Sequence, residues 1–175
     1  MAVKETIAII GAAAKNGIAI AKKLAQMNYP LLLISNDSNE VNQLSKYVQH
    51  ILPDAAIDVM DCAKEGCWQA DIIILTISYH TIKEVIKRIQ EVATQKIVVS
   101  IAVSEDEAIF PFKEAQELQQ LLPYSKVIGA YKKPDVPEIY IAGDDEESVE
   151  TISNIIKLAG YQPKAAESLS AIKIL

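Results

Sequence analysis

Hydrophobic residues along this chain fall into short unbroken runs, separated by stretches in which they recur every three or four positions. The runs are Thr6–Ile10, Leu31–Ser35, Ile57–Val59, Ile72–Ile77 and Lys96–Ser100. Runs this short, rich in Ile, Leu and Val and without polar alternation, mark strands covered on both faces. Between them the spacing predicts helices over Asn16–Met27, Val41–Ile51, Lys64–Ala70, Thr81–Val92 and Phe112–Leu122. Strands over Lys126–Gly129 and Ile139–Ala142, a helix over Glu146–Leu158 and an edge strand over Pro163–Ala165 follow. Such alternation gives an α/β fold with a doubly wound, mostly parallel sheet. Residues 1–175 are expected to form a single domain. The stretch Tyr131–Glu138, YKKPDVPE, carries two prolines and reads as a loop.

Composition narrows the partners. Half the residues are hydrophobic, which favours a packed core over disorder. The formal net charge of −6 argues against binding a nucleic-acid backbone. No apolar run is long enough to cross a bilayer. The N-terminus enters a strand at once and lacks the pattern of a signal peptide. Cys62 and Cys67 have no second pair to complete a metal site, so no metal is expected and both read as reduced thiols of a cytoplasmic protein.

Candidate chemistry begins with IIGAAAKNGIAIAKKL, residues 9–24, where a strand meets a helix at a small-residue loop. A pyrophosphate binds where amides at a helix N-terminus point at it, and glycines permit the turn and the close approach. In one register Gly11 makes the turn and Gly17 packs the helix; in a GxGxxG register the positions are Ala12, Ala14 and Gly17. Either way the methyl group of Ala14 stands where phosphate would come nearest, which predicts weakened binding. Lys15 can supply a compensating charge. A plain strand-to-helix turn is the competing reading. Strand two ends in Ser35-Asn36-Asp37. Asp37 can hold a ribose hydroxyl, or it can open the capping box Asp37-Ser38-Asn39-Glu40; both readings stand.

Four segments in order, TIAIIGAAAKNGIAIAKKLA, ADIIILTISYHTIKEVIKRI, KIVVSIAV and IAGDDEESVETISNIIKLAGYQPKAAESL, resemble the NADPH-dependent deazaflavin-coenzyme (F-420) reductase family. The resemblance implies a Rossmann-like fold that carries NADP, with NAD as the alternative, and passes hydride to a second redox partner. It implies a dinucleotide over Gly11, Ala12, Ala13, Ala14, Lys15 and Asn16. It puts the 2′-phosphate site at Ser35, Asn36 and Asp37, and the ribose along Ile77, Ser78 and Tyr79. Ser100 and Ile101 would flank the nicotinamide. A homodimer is expected. The family has a histidine after the strand ending at Gly129, and it continues beyond Ser170 into helices that help form the second-substrate site. This chain has neither, so deazaflavin reduction is not expected and the acceptor is left unidentified. No catalytic residue is assigned, and a non-catalytic nucleotide-binding or sensor module is the alternative function.

The remaining constellations read as structural. Tyr79-His80-Thr81-Ile82-Lys83 matches the YxxxK of short-chain dehydrogenases, a spacing close to chance in this chain. His80 opens a helix beside the expected cleft, and His50 ends one. The acidic run Asp144–Glu147 suits a helix start better than a metal. Trp68 is expected to pack in the core or at its rim.

Overall fold

The computed structural model describes residues 3–102, 112–132 and 135–170. Its elements follow the expected order: β1 (Ile7–Ile10), α1 (Lys15–Gln26), β2 (Leu31–Ile34), α2 (Ser38–Ile51), β3 (Ile57–Val59), α3 (Ala63–Gln69), β4 (Ile72–Leu75) and α4 (Tyr79–Ile89). Then come β5 (Ile97–Ile101), α5 (Lys113–Leu121), β6 (Lys126–Lys132), β7 (Glu138–Gly143), α6 (Glu146–Leu158) and β8 (Gln162–Ala165). The strands form one eight-stranded sheet in the order β3-β2-β1-β4-β5-β6-β7-β8. Every neighbouring pair is parallel except β6 and β7.

The unbroken apolar runs have the expected cause. Ile7 and Ile9 face one side of the sheet with Leu31, Leu33, Ile72 and Ile74, under α1, α2 and α6. Ala8 and Ile10 face the other side with Leu32, Ile73 and Leu75, under α3, α4 and α5. Both faces of the central strands are dry, so both positions of each two-residue repeat must be apolar. β8 lies at the sheet edge, where Pro163 is tolerated because a ladder donor is not needed.

Three local expectations are corrected. Two of the loop-like residues of YKKPDVPE, Tyr131 and Lys132, belong to β6, where they pair with Tyr140 and Ile139. Pairing of β6 with β7 outweighs the local preference of these residues for a loop, and Glu138 at the other end of the stretch begins β7; residues 133 and 134 lie outside the described residues. Trp68 is neither core nor rim but 68% exposed. In the seven-residue α3 the inward positions are taken by Gly66 and Cys67. The run Ile72–Ile77 is a strand only to Leu75, since the chain turns at Ile77 and Ser78 into α4.

Cys62 is the exposed N-cap residue of α3, and Cys67 is buried. Burial pushes the Cys67 thiol up to about 12. The thiolate is the reactive form. A thiol reagent at neutral pH should therefore label Cys62 alone in the native protein and Cys67 only after unfolding. Mass spectrometry of the labelled peptides checks this, and prompt native labelling of Cys67 would contradict it.

The acidic run opens α6 as expected. Asp145 accepts hydrogen bonds from the Ser148 amide at 2.9 Å and the Ser148 hydroxyl at 2.5 Å, with Lys126 Nζ at 3.4 Å. The Ser148 hydroxyl bond is the main reason its carboxyl lies below the usual carboxylate range. A depressed carboxyl stabilises the fold above its unfolded-state value and loses that contribution as pH falls through the folded value. Asp145→Ala should cost about 1 kcal/mol at neutral pH. The gap to the wild type should close in acid, as urea unfolding at the two pH values would show.

Candidate dinucleotide site

β1 ends at Ile10, and Gly11 follows with φ +88°, a conformation that side chains rarely adopt. A β-carbon there would lie 2.7 Å from both the Thr76 hydroxyl and the Ile77 side chain. The amides of Gly11 and Ala12 both donate to the Ile34 carbonyl, at 2.9 and 3.1 Å, and the Ala14 amide donates back to the Gly11 carbonyl. Ala14 then caps α1 through its backbone, with no side-chain cap. Gly17 sits on this turn: a β-carbon on it would fall 2.2 Å from the Gly11 carbonyl oxygen and 2.8 Å from Ala12 Cα. Gly11 therefore makes the turn and Gly17 permits the close packing of helix on loop.

The three alanines are not equivalent. Ala12 is fully buried in the core on the Ile7 face of the sheet, whereas Ala14 is exposed and Ala13 half-buried. The amides of Lys15, Asn16 and Gly17, in the first turn of α1, have no hydrogen-bond partner among the described residues. That turn holds no acidic residue. Its Lys15 is exposed and makes no ion pair among the described residues. Open amides, the positive end of the helix dipole and a lysine together make a place for an anion.

The other sequence candidates gather along the same edge of the sheet. In register, Ile34, Ile10 and Leu75 lie side by side, and Leu75 pairs with Ser100. Ser35, Gly11, Thr76 and Ile101 are the residues that follow them. This is the point where the order reverses, with β2 on one side of β1 and β4 on the other. Open α/β sheets bind ligands in the crevice outside the carboxyl ends of strands at such a point.

Each candidate has a local duty as well. The Asp37 carboxylate accepts from the Glu40 amide at 2.9 Å, so it caps α2 and starts that helix three residues before the expected Val41. Ser35 accepts from the Asp37 amide, and Asn36 is exposed. Ser78 is the N-cap residue of α4, and its hydroxyl lies 3.0 Å from that of Thr81. Tyr79 opens α4; its side chain lies outside the described residues. His80 follows it, exposed. Ser100 is buried, and its hydroxyl has no partner among the described residues. It points to the face opposite Ile101, since successive strand residues alternate. A buried hydroxyl without a partner carries a desolvation cost that a ligand could relieve.

One residue was missed. Thr76 is buried, and its hydroxyl lies 3.0 Å from the Ile10 carbonyl and 2.9 Å from that of Gly11. It ties the end of β4 to the glycine turn. Its only signal in the sequence is a hydroxyl at the end of an isoleucine run, which reads equally well as strand.

Fold and edge together define a doubly wound, Rossmann-like α/β protein with a dinucleotide-type turn after its first strand. The chain belongs to the family described as NADP oxidoreductase, coenzyme F420-dependent, whose profile matches residues 6–104. It is 28% identical over 177 residues to the F420-dependent NADP reductase of Methanocaldococcus jannaschii, covering 85% of this chain and 77% of that protein. It is 26% identical to a glycerol-3-phosphate dehydrogenase (NAD(P)+) of Thermoanaerobacter sp., where 92% of this chain spans only 47% of that protein. Among solved structures, a protein of Arthrobacter sp. provisionally assigned as an F420-dependent NADP reductase superposes with a TM-score of 0.73 at 12% identity, covering 95% of this chain and 86% of that one. At that identity the likeness concerns the fold. No helix among the described residues is long and apolar enough to cross a membrane.

Proposed function

We propose that this chain is an NAD(P)-binding oxidoreductase that holds NADP at the Gly11–Asn16 turn and transfers hydride between its nicotinamide and a second acceptor. The observation that carries the reading is the pairing of the Gly11 turn and the open α1 amides with the switch point of the sheet. Family membership and the named activity of the Methanocaldococcus relative support it. In this reading the pyrophosphate lies over Gly11, Ala13, Ala14, Lys15 and Asn16. The adenosine end lies by Ser35, Asn36 and Asp37, and the nicotinamide end by Ile77, Ser78, Ser100 and Ile101. When bound, the nicotinamide supplies the hydride chemistry. The protein orients it: the α1 amides hold the phosphates, Thr76 keeps the turn in place, and Ser100 offers a hydroxyl to the carboxamide end. We take the working unit to be a homodimer in the cytoplasm, a compartment in which Cys62 and Cys67 would stay reduced.

Titration calorimetry with NADPH and NADH tests the cofactor. Because Ser35-Asn36-Asp37 contains no cation, Lys15 is the group assigned to the 2′-phosphate. Lys15→Ala should weaken NADPH by roughly tenfold, as the loss of one charge-assisted contact does, and weaken NADH less. Equal losses would place Lys15 on the pyrophosphate, and no loss would remove it from the site.

A non-catalytic nucleotide sensor is the second reading, favoured by the exposed methyl group of Ala14 at the phosphate turn. Following NADPH oxidation with deazaflavin, flavin and quinone acceptors separates the two. Turnover with any acceptor supports the enzyme; binding without turnover supports the sensor.

A further inference from the structure

The end of β2 is fastened to the glycine turn. The amides of Gly11 and Ala12 both donate to the carbonyl of Ile34, the last residue of β2. The next three residues, Ser35-Asn36-Asp37, therefore leave the strand beside the turn and lead into α2. Local bonds fix their course. The Asp37 amide donates to the Ser35 hydroxyl at 3.1 Å, and the Asp37 carboxylate accepts from the Glu40 amide at 2.9 Å.

That cap occupies one carboxylate oxygen and leaves the other open. Asp37 Oδ1 takes the Glu40 amide, while Oδ2 has no hydrogen bond or ion pair among the described residues. A carboxylate can accept at both oxygens, so capping α2 does not exclude a second role. The cap also holds the side chain still, which lowers the cost of ordering it around a ligand. Asp37 is exposed beside the turn, and Glu40 adds a second carboxylate to the same helix start. Neither has a cationic partner among the described residues. Asp37 also follows Gly17 at the distance, about 20 residues, at which an acidic residue in such folds hydrogen-bonds the ribose 2′-hydroxyl. A hydroxyl can donate to the open oxygen. A 2′-phosphate offers only acceptors and negative charge, which this carboxylate repels.

We propose that Asp37 sets the cofactor preference of this site: its open oxygen accepts from the ribose 2′-hydroxyl of NADH and opposes the 2′-phosphate of NADPH. The preference for NADP is then narrow, with Lys15 attracting the 2′-phosphate and Asp37 resisting it. The inference rests on the dinucleotide reading.

Asp37→Asn is the decisive variant. Asparagine caps a helix as well as aspartate does, but it carries no charge and replaces the second oxygen with a donor. NADPH and NADH are titrated calorimetrically into the full chain. The wild type should bind the two within about tenfold of each other. Asp37→Asn should tighten NADPH and weaken NADH, moving their affinity ratio by at least about tenfold towards NADPH. Its melting temperature should stay at the wild-type value because the cap is kept. Asp37→Ala removes cap and charge together, so it should move the ratio the same way and melt at a lower temperature. A ratio that Asp37→Asn leaves unmoved, or that moves only with Asp37→Ala, would overturn the inference. A wild-type preference for NADPH above about a hundredfold would do so too. If the wild type bound neither dinucleotide, the dinucleotide reading would fall and this inference with it; wild-type binding with an unmoved ratio would remove the inference alone.

Discussion

Gly17→Ala should reduce NADPH affinity by about a hundredfold or more and lower the melting temperature. A single methyl group has this effect because of where it would point. The new β-carbon would fall 2.2 Å from the Gly11 carbonyl oxygen and 3.0 Å from the Ala12 carbonyl carbon. Both are backbone atoms of the turn, so neither can rotate away. Either α1 lifts off the turn or the turn moves outward, and the open amides of Lys15 and Asn16 move with it. A hydrogen bond to a charged group contributes about 1.5–3 kcal/mol, so weakening those two amide contacts to a phosphate is worth about a hundredfold or more in affinity. Stability changes through two opposed terms. Alanine is the better helix former by about 1 kcal/mol, whereas forcing a methyl group into a filled space costs about 1–3 kcal/mol or more. With backbone on the other side of the clash the upper end applies, leaving a net loss of about 2 kcal/mol. That corresponds to roughly 4–8 °C for a chain of this size. Calorimetric titration and a thermal melt measure the two effects. A variant that binds NADPH as tightly as the wild type would remove the close packing at Gly17 from the binding site.

Lys96→Met should destabilise the fold by about 3 kcal/mol, although lysine is ordinarily a surface residue. Lys96 Nζ donates to the carbonyls of Cys67, Trp68 and Ala70, each at 2.6 Å. These are orphan acceptors at the end of α3, where a helix leaves carbonyls unsatisfied and a positive charge is favoured. All three ammonium protons are used, and burial pulls the ammonium below its usual range. Methionine keeps the length and apolar stem but removes every donor. Water can reach the Trp68 carbonyl, whereas those of Cys67 and Ala70 lie in buried residues. Losing hydrogen bonds from a charged donor costs about 1.5–3 kcal/mol, with unpaired buried acceptors adding to it. Lys126→Met is the comparison. Lys126 lies 3.4 Å from Asp145 and 3.9 Å from Glu147, with 37% of its side chain exposed. Exposed pairs of that kind contribute about 0–1 kcal/mol. Urea unfolding should separate the two variants clearly; equal losses would show that the α3 cap is no stronger than a surface ion pair.

The succession of strands β1 to β5 along the chain was legible because the central strands are buried on both faces, which forces an unbroken apolar run that sequence spacing cannot disguise. The glycine turn was legible for a related reason. Only Gly11 can hold φ +88° against Thr76 and Ile77, and only Gly17 can lie on a backbone carbonyl, so both positions show by residue type. The start of α6 was read correctly from its acidic run because capping is local: Asp145 bonds Ser148, three residues on. Asp37 shows the limit of the same logic. Its sequence position allowed a ribose ligand or a cap, and the hydrogen bond to the Glu40 amide appears only in three dimensions.

What the sequence by itself determined, then, is the alternation of strands and helices, the two-faced core and the place of the turn after β1. These follow from periodicity, burial and backbone sterics within a few residues. Tertiary structure alone decided the antiparallel return at β7, which extends β6 to Lys132 through residues that look like loop. It also decided the outward position of Trp68 and the use of Lys96 as a helix cap 26 residues from Ala70. It brought Thr76 onto the Gly11 carbonyl from 65 positions away. Each of these depends on which surfaces meet after the sheet has formed, and contacts between distant residues leave no period in the sequence that joins them.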